Sequence, residues 1–195
     1  MAENEKVKNI FLSASVPQPG REFYGKEDVI AIRDAVIALT SAVLAKPEYH
    51  LIWGGHPSIT PLITLVLERY NLKMSDRVTL YQSDWFREKF PPENEDIGKR
   101  VITEKLDTME DSLVLMRDKM IRDNEYEAAV FIGGMAGIFN EYDCFVESHP
   151  KAPVFPIAST GAAARALYDN YPGKFDERLL TELSYISLFK EMLGL

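Results

Sequence analysis

Two strand-to-turn segments of the same kind constrain the fold of this chain more than any other feature. Each is an apolar run that ends in a glycine pair and leads directly into a predicted helix: HLIWGGHPSIT (His50–Thr60) and AAVFIGGMAGIFNEYDCF (Ala128–Phe145). A helix that begins just after a strand directs unpaired backbone N–H groups and the positive end of its dipole at the turn, and glycine lets a ligand approach them. Two such turns predict a ligand that carries a phosphate.

Strands alternate with helices along the chain. The strands are predicted at Asn9–Ser15, His50–Trp53, Arg77–Gln82, Arg100–Glu104, Ala128–Ile132 and Pro153–Ala158. The helices are predicted at Lys26–Ala45, Ser58–Tyr70, Thr108–Asp123, Ala136–Glu147, Gly161–Tyr168 and Asp176–Leu193, and Asp84–Asp96 is a mixed loop or short helix. This alternation favours an α/β fold, a doubly wound, Rossmann-like and mostly parallel sheet with helices on both faces. Ligands bind at the carboxyl edge of such a sheet.

Length and charge narrow the function classes. A chain of 195 residues is expected to form one domain, 1–195, that folds without a disulfide or a metal. Lysine and arginine total 22 against 30 acidic residues, a net charge of −8, and no basic stripe follows a nucleic-acid backbone, so no nucleic-acid partner is expected. Every hydrophobic run is broken by a charge or a glycine, so no membrane association is expected.

Cysteine use and the N-terminal segment indicate the compartment. The single cysteine, Cys144, cannot form an internal disulfide, and MAENEKVKNIF has charges where a signal peptide needs an apolar core. We therefore expect a cytoplasmic protein. Three scattered histidines give no zinc spacing, no G-x-S-x-G segment is present, and neither glycine turn fits G-x-G-x-x-G or the Walker pattern. No metal or cofactor is predicted.

The second glycine turn resembles a known family signature. FIGGMAGIFNEY is similar to the P-G-G-x-G-T-x-x-E signature of the LONELY GUY (LOG) phosphoribohydrolases and of the wider SLOG superfamily. In that family an arginine in an R-K-x-x-M segment precedes the glycine pair, and here Arg117 opens RDKMI, 16 positions before Gly133 (133 − 117). WGGHPSIT is similar to the family's earlier glycine turn and IFLSAS to its first strand. The resemblance spans roughly residues 9 to 157 and implies a LOG-like fold and a nucleotide ligand.

The chain departs from the signature at four positions. Ile132 replaces the proline, Ala136 the third glycine and Gly137 the threonine, while Asn140 stands at the glutamate position and Glu141 follows it. One residue turns a helical side chain by about 100°. Either a local bulge returns Glu141 to the site, or the cleaving carboxylate is missing. The pattern is closer to ligand-binding SLOG domains, such as the sensor domain of Thoeris effectors and the N-terminal region of TRPM channels.

The resemblance and the glycine turns together give the candidate site. Arg117 and Glu141 are the candidate catalytic residues: Glu141 would stabilise positive charge on a sugar ring, and Arg117 would hold a ribose phosphate or orient the carboxylate. Arg21 lies in the loop VPQPGREFYG after the first strand, where Phe23 and Tyr24 are candidates for stacking on a base. The predicted ligand-binding residues are Ser13, Ser15, Arg21, Gly54, Gly55, His56, Gly133, Gly134, Met135, Ala136, Gly137 and Thr160.

Two functions compete on this evidence. The first is binding of a nucleotide or an NAD-derived nucleotide, such as an ADP-ribose derivative, as a sensor or a component of signalling or defence that would act through a separate effector protein. The second is a LOG-like phosphoribohydrolase that cleaves the N-glycosidic bond of a nucleoside 5′-monophosphate. A Toll/interleukin-1 receptor-like NADase or a deoxyribosyltransferase ranks below both, because Lys89 stands where W-x-x-x-E needs a glutamate after Trp85.

The last predicted helix bears on assembly. Asp176–Leu193 carries more apolar residues than one helix face needs, which is typical either of an oligomer interface or of a helix buried in its own monomer. LOG-like folds associate as dimers, so the resemblance implies a homodimer or a larger homo-oligomer.

Overall fold

A six-stranded sheet forms the centre of the molecule in the computed structural model, which describes residues 7–71, 73 and 75–195. Its strands are β1 (Lys8–Ser15), β2 (Tyr49–Trp53), β3 (Val78–Ser83), β4 (Lys99–Thr103), β5 (Ala128–Gly133) and β6 (Val154–Ile157). All neighbours pair in parallel, in the order β4-β3-β2-β1-β5-β6. The predicted Rossmann-like α/β fold is therefore confirmed.

Helices cover both faces of the sheet. They are α1 (Val29–Leu44), α2 (Thr60–Arg69), α3 (Met109–Arg122), α4 (Gly137–Ser148), α5 (Ala162–Asp169), α6 (Arg178–Thr181) and α7 (Tyr185–Leu193). One core joins α1, α2 and α7 to the sheet, and the other joins α3, α4 and α5 to the opposite face. β1 serves both cores, because Ile10 and Leu12 face the first while Phe11 faces the second.

The side of the sheet on which new strands are added changes at β1. From β1 through β4 the strands are added on one side of β1, and β5 and β6 are added on its other side. Right-handed crossovers that run in opposite directions place their connecting helices on opposite faces of the sheet. The helices of the two cores lie on opposite faces for this reason. α1 and α4, which follow the adjacent strands β1 and β5, therefore leave the sheet in opposite directions. A cleft opens at the carboxyl ends of these two strands.

One helix that was predicted as continuous differs from the structure, whereas the segment predicted as a mixed loop or short helix is confirmed. The single helix predicted at Asp176–Leu193 is broken: Glu182 is extended, its carboxylate accepts a hydrogen bond from the Ser184 N–H at 2.6 Å, and α7 begins one residue later. The stretch Asp84–Asp96 forms two short 3-10 helices, Asp84–Lys89 and Pro92–Asp96. Within the described residues, no helix has both the length and the apolar character needed to cross a membrane.

Arg77 joins α1 to the sheet. Its guanidinium donates hydrogen bonds to the carbonyl oxygens of Val43 and Leu44 in the last turn of α1, at 3.1 and 3.0 Å. It also donates to the carbonyl of Lys46 and to that of Tyr49 in β2, the latter at 2.9 and 3.2 Å. The last carbonyls of a helix have no partner within the helix, so this one side chain satisfies several of them.

Replacing Arg77 with alanine should lower the free energy of unfolding by about 2–4 kcal/mol, because several partly buried carbonyls lose a charged donor at once. Urea denaturation should show a lower midpoint with an unchanged slope. Arg69→Ala is the control, since Arg69 is exposed in the last turn of α2, and it should cost less than about 1 kcal/mol. Equal effects of the two substitutions would contradict this role for Arg77.

Candidate functional site

A cavity of about 470 Å³ lies at the carboxyl edge of the sheet, over the ends of β1, β2 and β3. Its walls come from the loop after β1, the first glycine turn, the 3-10 helix Asp84–Lys89, α3 and the first turns of α4. Ten of the residues predicted for the site line this cavity: Ser13, Ser15, Arg21, Gly54, Gly55, His56, Arg117, Met135, Gly137 and Glu141. Gly133, Gly134, Ala136 and Thr160 do not line it.

Ser13 and Glu141 form the polar contact at the centre of the site. Side chains alternate along β1, so Ser13 and Ser15 share the face of Phe11, which packs against α4. The Ser13 hydroxyl donates a hydrogen bond to the Glu141 carboxylate oxygen Oε2. This bond fixes the carboxylate against the sheet.

The turn before α4 decides which residue of that helix enters the pocket. Gly133 and Gly134 both have positive φ, +58° and +89°, and α4 begins at Gly137. With this start, Glu141 lies in the pocket and Asn140, which holds the signature's glutamate position, is exposed. Of these two neighbouring residues, the structure therefore places Glu141 in the cavity.

Burial controls the charge of Glu141. Loss of solvent raises the pKa of this carboxyl group above its ordinary value, although the Ser13 hydrogen bond and the Arg117 charge act in the opposite direction. Such a carboxyl group binds a proton more readily than one in water. Arg117 and Glu141 both line this pocket, so the site can pair with a negatively charged or a positively charged group of a ligand.

Arg117 on α3 has spare hydrogen-bonding capacity. Its Nε is buried without a hydrogen-bond partner, and no salt bridge to it forms within residues 7–71, 73 and 75–195. Buried polar groups in native proteins nearly always have a partner. An unpaired arginine beside a cavity is therefore ready to bind an anion or an oxygen-rich group.

The second glycine pair has a structural role that the sequence analysis did not assign. The Gly133 N–H donates to the Thr160 hydroxyl at 2.8 Å, and the Gly134 N–H donates to the carbonyl of Ser15 at 2.8 Å. A Cβ on Gly134 would lie 2.0 Å from Ile138 Cδ1. Thr160 is fully buried and also donates to the Ile157 carbonyl. The polar groups of Gly133, Gly134 and Thr160 thus serve the turn, and these three residues do not line the cavity, so their ligand contact stays a prediction.

The free N–H groups come after that pair. The N–H groups of Met135, Ala136 and Gly137 have no acceptor among the described residues, while those of Ile138 and Phe139 bond back to Met135 and Ala136 at 3.0 and 3.2 Å. Ala136 itself is exposed outside the cavity wall. Space is open around the Cα of Gly137. The start of α4 therefore presents unpaired donors, as expected of a helix that begins just after a strand and a glycine turn.

The first glycine turn lines the cavity with its own backbone. Gly55 has a φ of +64°, and a Cβ there would lie 2.5 Å from Leu80 Cδ1, so packing as well as conformation requires glycine. His56 accepts hydrogen bonds at Nδ1 from both the hydroxyl and the N–H of Ser58, at 2.8 and 3.3 Å. These bonds leave the proton on Nε2. Burial lowers the pKa of His56 to about 4, so it is a neutral donor.

The loop after β1 contributes two residues to the pocket, Gln18 and the predicted Arg21. Arg21 lines the cavity and is exposed, with its backbone held in a series of turns. The predicted stacking residues Phe23 and Tyr24 do not line the cavity. Phe23 packs against Phe139 at a centroid distance of 6.0 Å, and Tyr24 is exposed. The loop is anchored by Lys26, whose carbonyl accepts the Ala162 N–H at 2.9 Å.

Several lining residues escaped the sequence analysis. Phe86, Lys89 and Phe90 come from the irregular segment after β3, which carries no helical or strand periodicity. Three more belong to α3, where their spacing indicated only a helix core: Met109, Leu113 and Met116. The position of the segment after β3 could have indicated Phe86, Lys89 and Phe90, since β3 also ends at the carboxyl edge where ligands bind.

The cavity thus has two chemically different regions. Arg21, Lys89 and Arg117 bring three positive charges against the single carboxylate of Glu141, although the whole chain has a net charge of −8. Phe86, Phe90 and the α3 side chains provide an apolar surface. In the part of the chain that the structure describes, no three His, Cys, Asp or Glu side chains form a group that could hold a metal ion.

Comparisons with known proteins agree on the fold. The profile of the SLOG cluster3 family matches residues 22–193. The X-ray structure of TM1055, a structural genomics target, superimposes with a TM-score of 0.65 and 18% sequence identity, covering 95% of this chain and 99% of that chain. At this identity the likeness concerns the fold alone. Curated proteins give no match.

Glu141→Gln should stabilise the ligand-free protein near neutral pH. Because burial raises the pKa of Glu141, the folded state keeps the proton longer than the unfolded state, and stability is lost as the pH rises through the folded-state value. Glutamine removes this loss but keeps a hydrogen-bonding group for Ser13. The gain in Tm should be largest near pH 8, become smaller as the pH falls, and disappear at about pH 3, below the ordinary pKa of the group.

Asp143→Asn is the matched control for this pH series, since Asp143 is exposed on the same helix. Its Tm difference should be small at every pH. A Glu141→Gln variant that is less stable than wild type at pH 8 would show that the Ser13 and Arg117 interactions outweigh the cost of burial.

Proposed function

We propose that this chain, which belongs to the SLOG cluster3 family, binds a nucleotide or an NAD-derived nucleotide, such as an ADP-ribose derivative, in the cavity at the carboxyl edge of its sheet. The proposal extends the nucleotide-related function that family membership supports to a specific pocket. In this role the protein would act as a sensor or as a component of signalling or defence.

The observation that carries the proposal is the unpaired set of donors around one carboxylate. Within the described part of the chain, the buried Nε of Arg117 and the N–H groups of Met135 and Gly137 have no hydrogen-bond partner, and all three residues line the cavity with Glu141. A ribose phosphate matches such a set, because phosphate oxygens accept from backbone N–H groups and guanidinium while ribose hydroxyls donate to a carboxylate. Among the residues that the structure describes, no hydrogen bond engages these donors.

The apolar region of the cavity suits the remainder of a nucleotide. Phe86 and Phe90 offer ring faces for a planar base, and Met109, Leu113 and Met116 offer adaptable apolar contacts. Arg21 and Lys89 add positive charge for a further phosphate. A cavity of about 470 Å³ falls within the usual range of small-molecule sites.

A second candidate function is favoured by one observation, the presence of Glu141 in the pocket with Arg117. A LOG-like phosphoribohydrolase would break the bond between C1′ of the ribose and the base nitrogen, with water supplying a hydroxyl to C1′ and a proton to the base. Positive charge develops on the ribose in this reaction, and the Glu141 carboxylate would stabilise it. Arg117 would hold the 5′-phosphate.

Association and partners remain proposals. α7 buries Tyr185, Leu188 and Phe189 within its own monomer, which accounts for part of its apolar character. Leu183 and Ile186 stay exposed. We retain a homodimer or larger homo-oligomer, with a separate effector protein if the chain acts as a sensor, and a cytoplasmic location.

Nucleotide binding and turnover should be measured together on the wild-type protein and on Arg117→Ala and Glu141→Gln variants. A panel of nucleoside 5′-monophosphates and ADP-ribose derivatives should raise the Tm of wild type in a dose-dependent way, and Arg117→Ala should lose most of this shift. If the protein is a phosphoribohydrolase, chromatography will detect free base, and Glu141→Gln will release it about 10²–10⁴-fold more slowly.

Asn140→Ala is the register control, because Asn140 is exposed one residue before Glu141. It should change neither binding nor turnover. A Tm shift without release of base would support the sensor and exclude hydrolysis of the ligands tested. Absence of any shift across the panel would contradict the proposed function.

Gly137→Ala should separate helix stability from ligand binding. Space is open at this position and the backbone is helical, so alanine should leave the ligand-free protein unchanged or stabilise it by about 0.5–1 kcal/mol. Its methyl group should weaken nucleotide binding if the anion approaches the start of α4. Gly134→Ala should instead destabilise the free protein, since Gly134 has a positive φ and contacts Ile138. Unchanged affinity in Gly137→Ala would contradict this approach.

A further inference from the structure

Ser58 connects two segments that border the cavity without lining the cavity itself. Its hydroxyl accepts a hydrogen bond from the Val16 N–H, at the start of the loop after β1, at 3.1 Å. The same hydroxyl lies 2.8 Å from Nδ1 of His56 in the first glycine turn. His56 lines the cavity and Ser58 does not. The Ser58 side chain therefore joins the loop after β1 to the first glycine turn from outside the cavity wall.

The backbone N–H of Ser58 determines the tautomer of His56. This N–H can only donate, and its acceptor is Nδ1 of His56 at 3.3 Å. A proton on Nδ1 would point at that N–H, so the ring proton is on Nε2 and the Ser58 hydroxyl donates to Nδ1 as well. Burial lowers the pKa of His56 to about 4, so the ring is neutral near pH 7 and Nδ1 holds its one lone pair.

Nε2 is the polar atom of His56 that remains for a ligand. Within the described residues it has no hydrogen-bond partner, and it is not among the buried polar atoms that lack one, so it is accessible. In this tautomer Nε2 carries a hydrogen and has no lone pair that could accept, so it is a donor alone. Because His56 lines the cavity, this N–H is available to a ligand acceptor there.

The backbone at the start of α2 does not offer the donors that this turn was predicted to supply. The N–H groups of Ile59 and Thr60 donate to the His56 carbonyl at 2.9 and 3.2 Å. The Ser58 N–H donates to Nδ1, and Pro57 has no N–H. His56 therefore engages each backbone N–H of residues 57–60, and its own ring N–H is the donor that it leaves for a ligand.

The position of His56 indicates which part of a ligand it meets. β2 has β1 on one side and β3 on the other, but the bond between Val16 and Ser58 ties the turn after β2 to the β1 side. The end of β1 carries Ser13, whose hydroxyl donates to Glu141. His56 thus borders the polar region of the cavity, where the acceptors of a bound nucleotide would be sugar and phosphate oxygens.

We propose that Ser58 is a positioning residue that holds the His56 ring so that its Nε2–H donates to an oxygen of the ligand's sugar phosphate. This inference rests on the proposed nucleotide binding. It adds an uncharged donor to that site and a residue that acts on the ligand only through another side chain.

Nitrogen-15 NMR of the imidazole rings in the full chain tests the tautomer and the contact. At pH 7 His56 should be in the Nε2–H form, and saturation with ribose 5-phosphate should shift its Nε2 signal. His149 is the internal control, because its Nε2 bonds to the Ile121 carbonyl and it does not line this cavity, so its signals should stay unchanged. In Ser58→Ala, which loses the hydroxyl donor, the Nδ1–H form should become detectable.

Calorimetric titration with ribose 5-phosphate and adenosine 5′-monophosphate measures the consequence for binding. His56→Asn keeps an oxygen that can accept from Ser58 but has no group at the Nε2 position, and it should weaken both ligands about tenfold or more. Ser58→Ala should weaken both about threefold to tenfold, and Ser58→Thr, which restores a hydroxyl, should recover the affinity. In the His56→Asn background, Ser58→Ala should have no further effect, because its influence passes through the ring.

The outcomes separate this inference from the proposed function. Unchanged affinity in His56→Asn, or an effect of Ser58→Ala that persists in the His56→Asn background, overturns the inference. A loss confined to adenosine 5′-monophosphate assigns the donor to the base and also overturns it. Should the variants fail to fold, the wild-type spectra decide, since an Nδ1–H form or an unshifted Nε2 signal at saturation excludes the proposed contact. Failure of both ligands to bind wild type instead contradicts nucleotide binding itself.

Discussion

The reversal of strand order at β1 is the constraint from which the rest of this structure follows. β1 pairs with β2 on one side and β5 on the other, and the helices that follow β1 and β5 cover opposite faces of the sheet. The edge between them cannot be closed by either helix. Ser13 and Ser15 lie at the end of β1, at this opening. The strand order therefore determines which chain positions line the opening, whatever side chains they carry.

Alternation along β1 then supplies the chemistry of the opening. Residues on the face of Phe11 point to α4, and at the end of the strand this face changes from an aromatic ring to the Ser13 hydroxyl. The hydroxyl meets a carboxylate on α4 that has little solvent around it, which is why burial dominates the pKa of Glu141. Arg117 approaches from α3 but forms no salt bridge with it among the described residues. The site therefore keeps separate charges that a ligand can pair.

Much of this arrangement follows from the sequence by simple physical rules. Continuous apolar runs separated by helical periodicity predict a parallel sheet, and glycine pairs after two of those runs predict the edge at which the cavity lies. The break in the last helix is harder to predict, since Glu182 and Leu183 fit a helical pattern, and only the hydrogen bond of the Glu182 carboxylate to Ser184 shows that the helix has ended.

Only part of the candidate site could be predicted from the sequence, because residue spacing does not give the backbone conformation of the second glycine turn. Sequence spacing puts Asn140 at the glutamate position, and only the folded structure shows that Glu141, one residue later, lines the cavity while Asn140 is exposed. The left-handed conformations at Gly133 and Gly134 form a turn in which the two N–H groups donate to the Thr160 hydroxyl and the Ser15 carbonyl, so these donors are engaged within the protein. A glycine motif in a sequence thus identifies a sharp turn more securely than the donors that the turn exposes.

The aromatic region of the cavity could not be predicted in this way, because the segment after β3 has neither helical nor strand periodicity in its apolar residues. Phe86, Lys89 and Phe90 lie in or just after a 3-10 helix with a kink at Phe86, so their orientation depends on hydrogen bonds specific to this loop. The cavity consequently joins a region fixed by topology to one fixed by local contacts. The polar region depends on the strand order, whereas the region beside β3 can change with the loop sequence, so within this fold the chemistry of the two regions can vary independently.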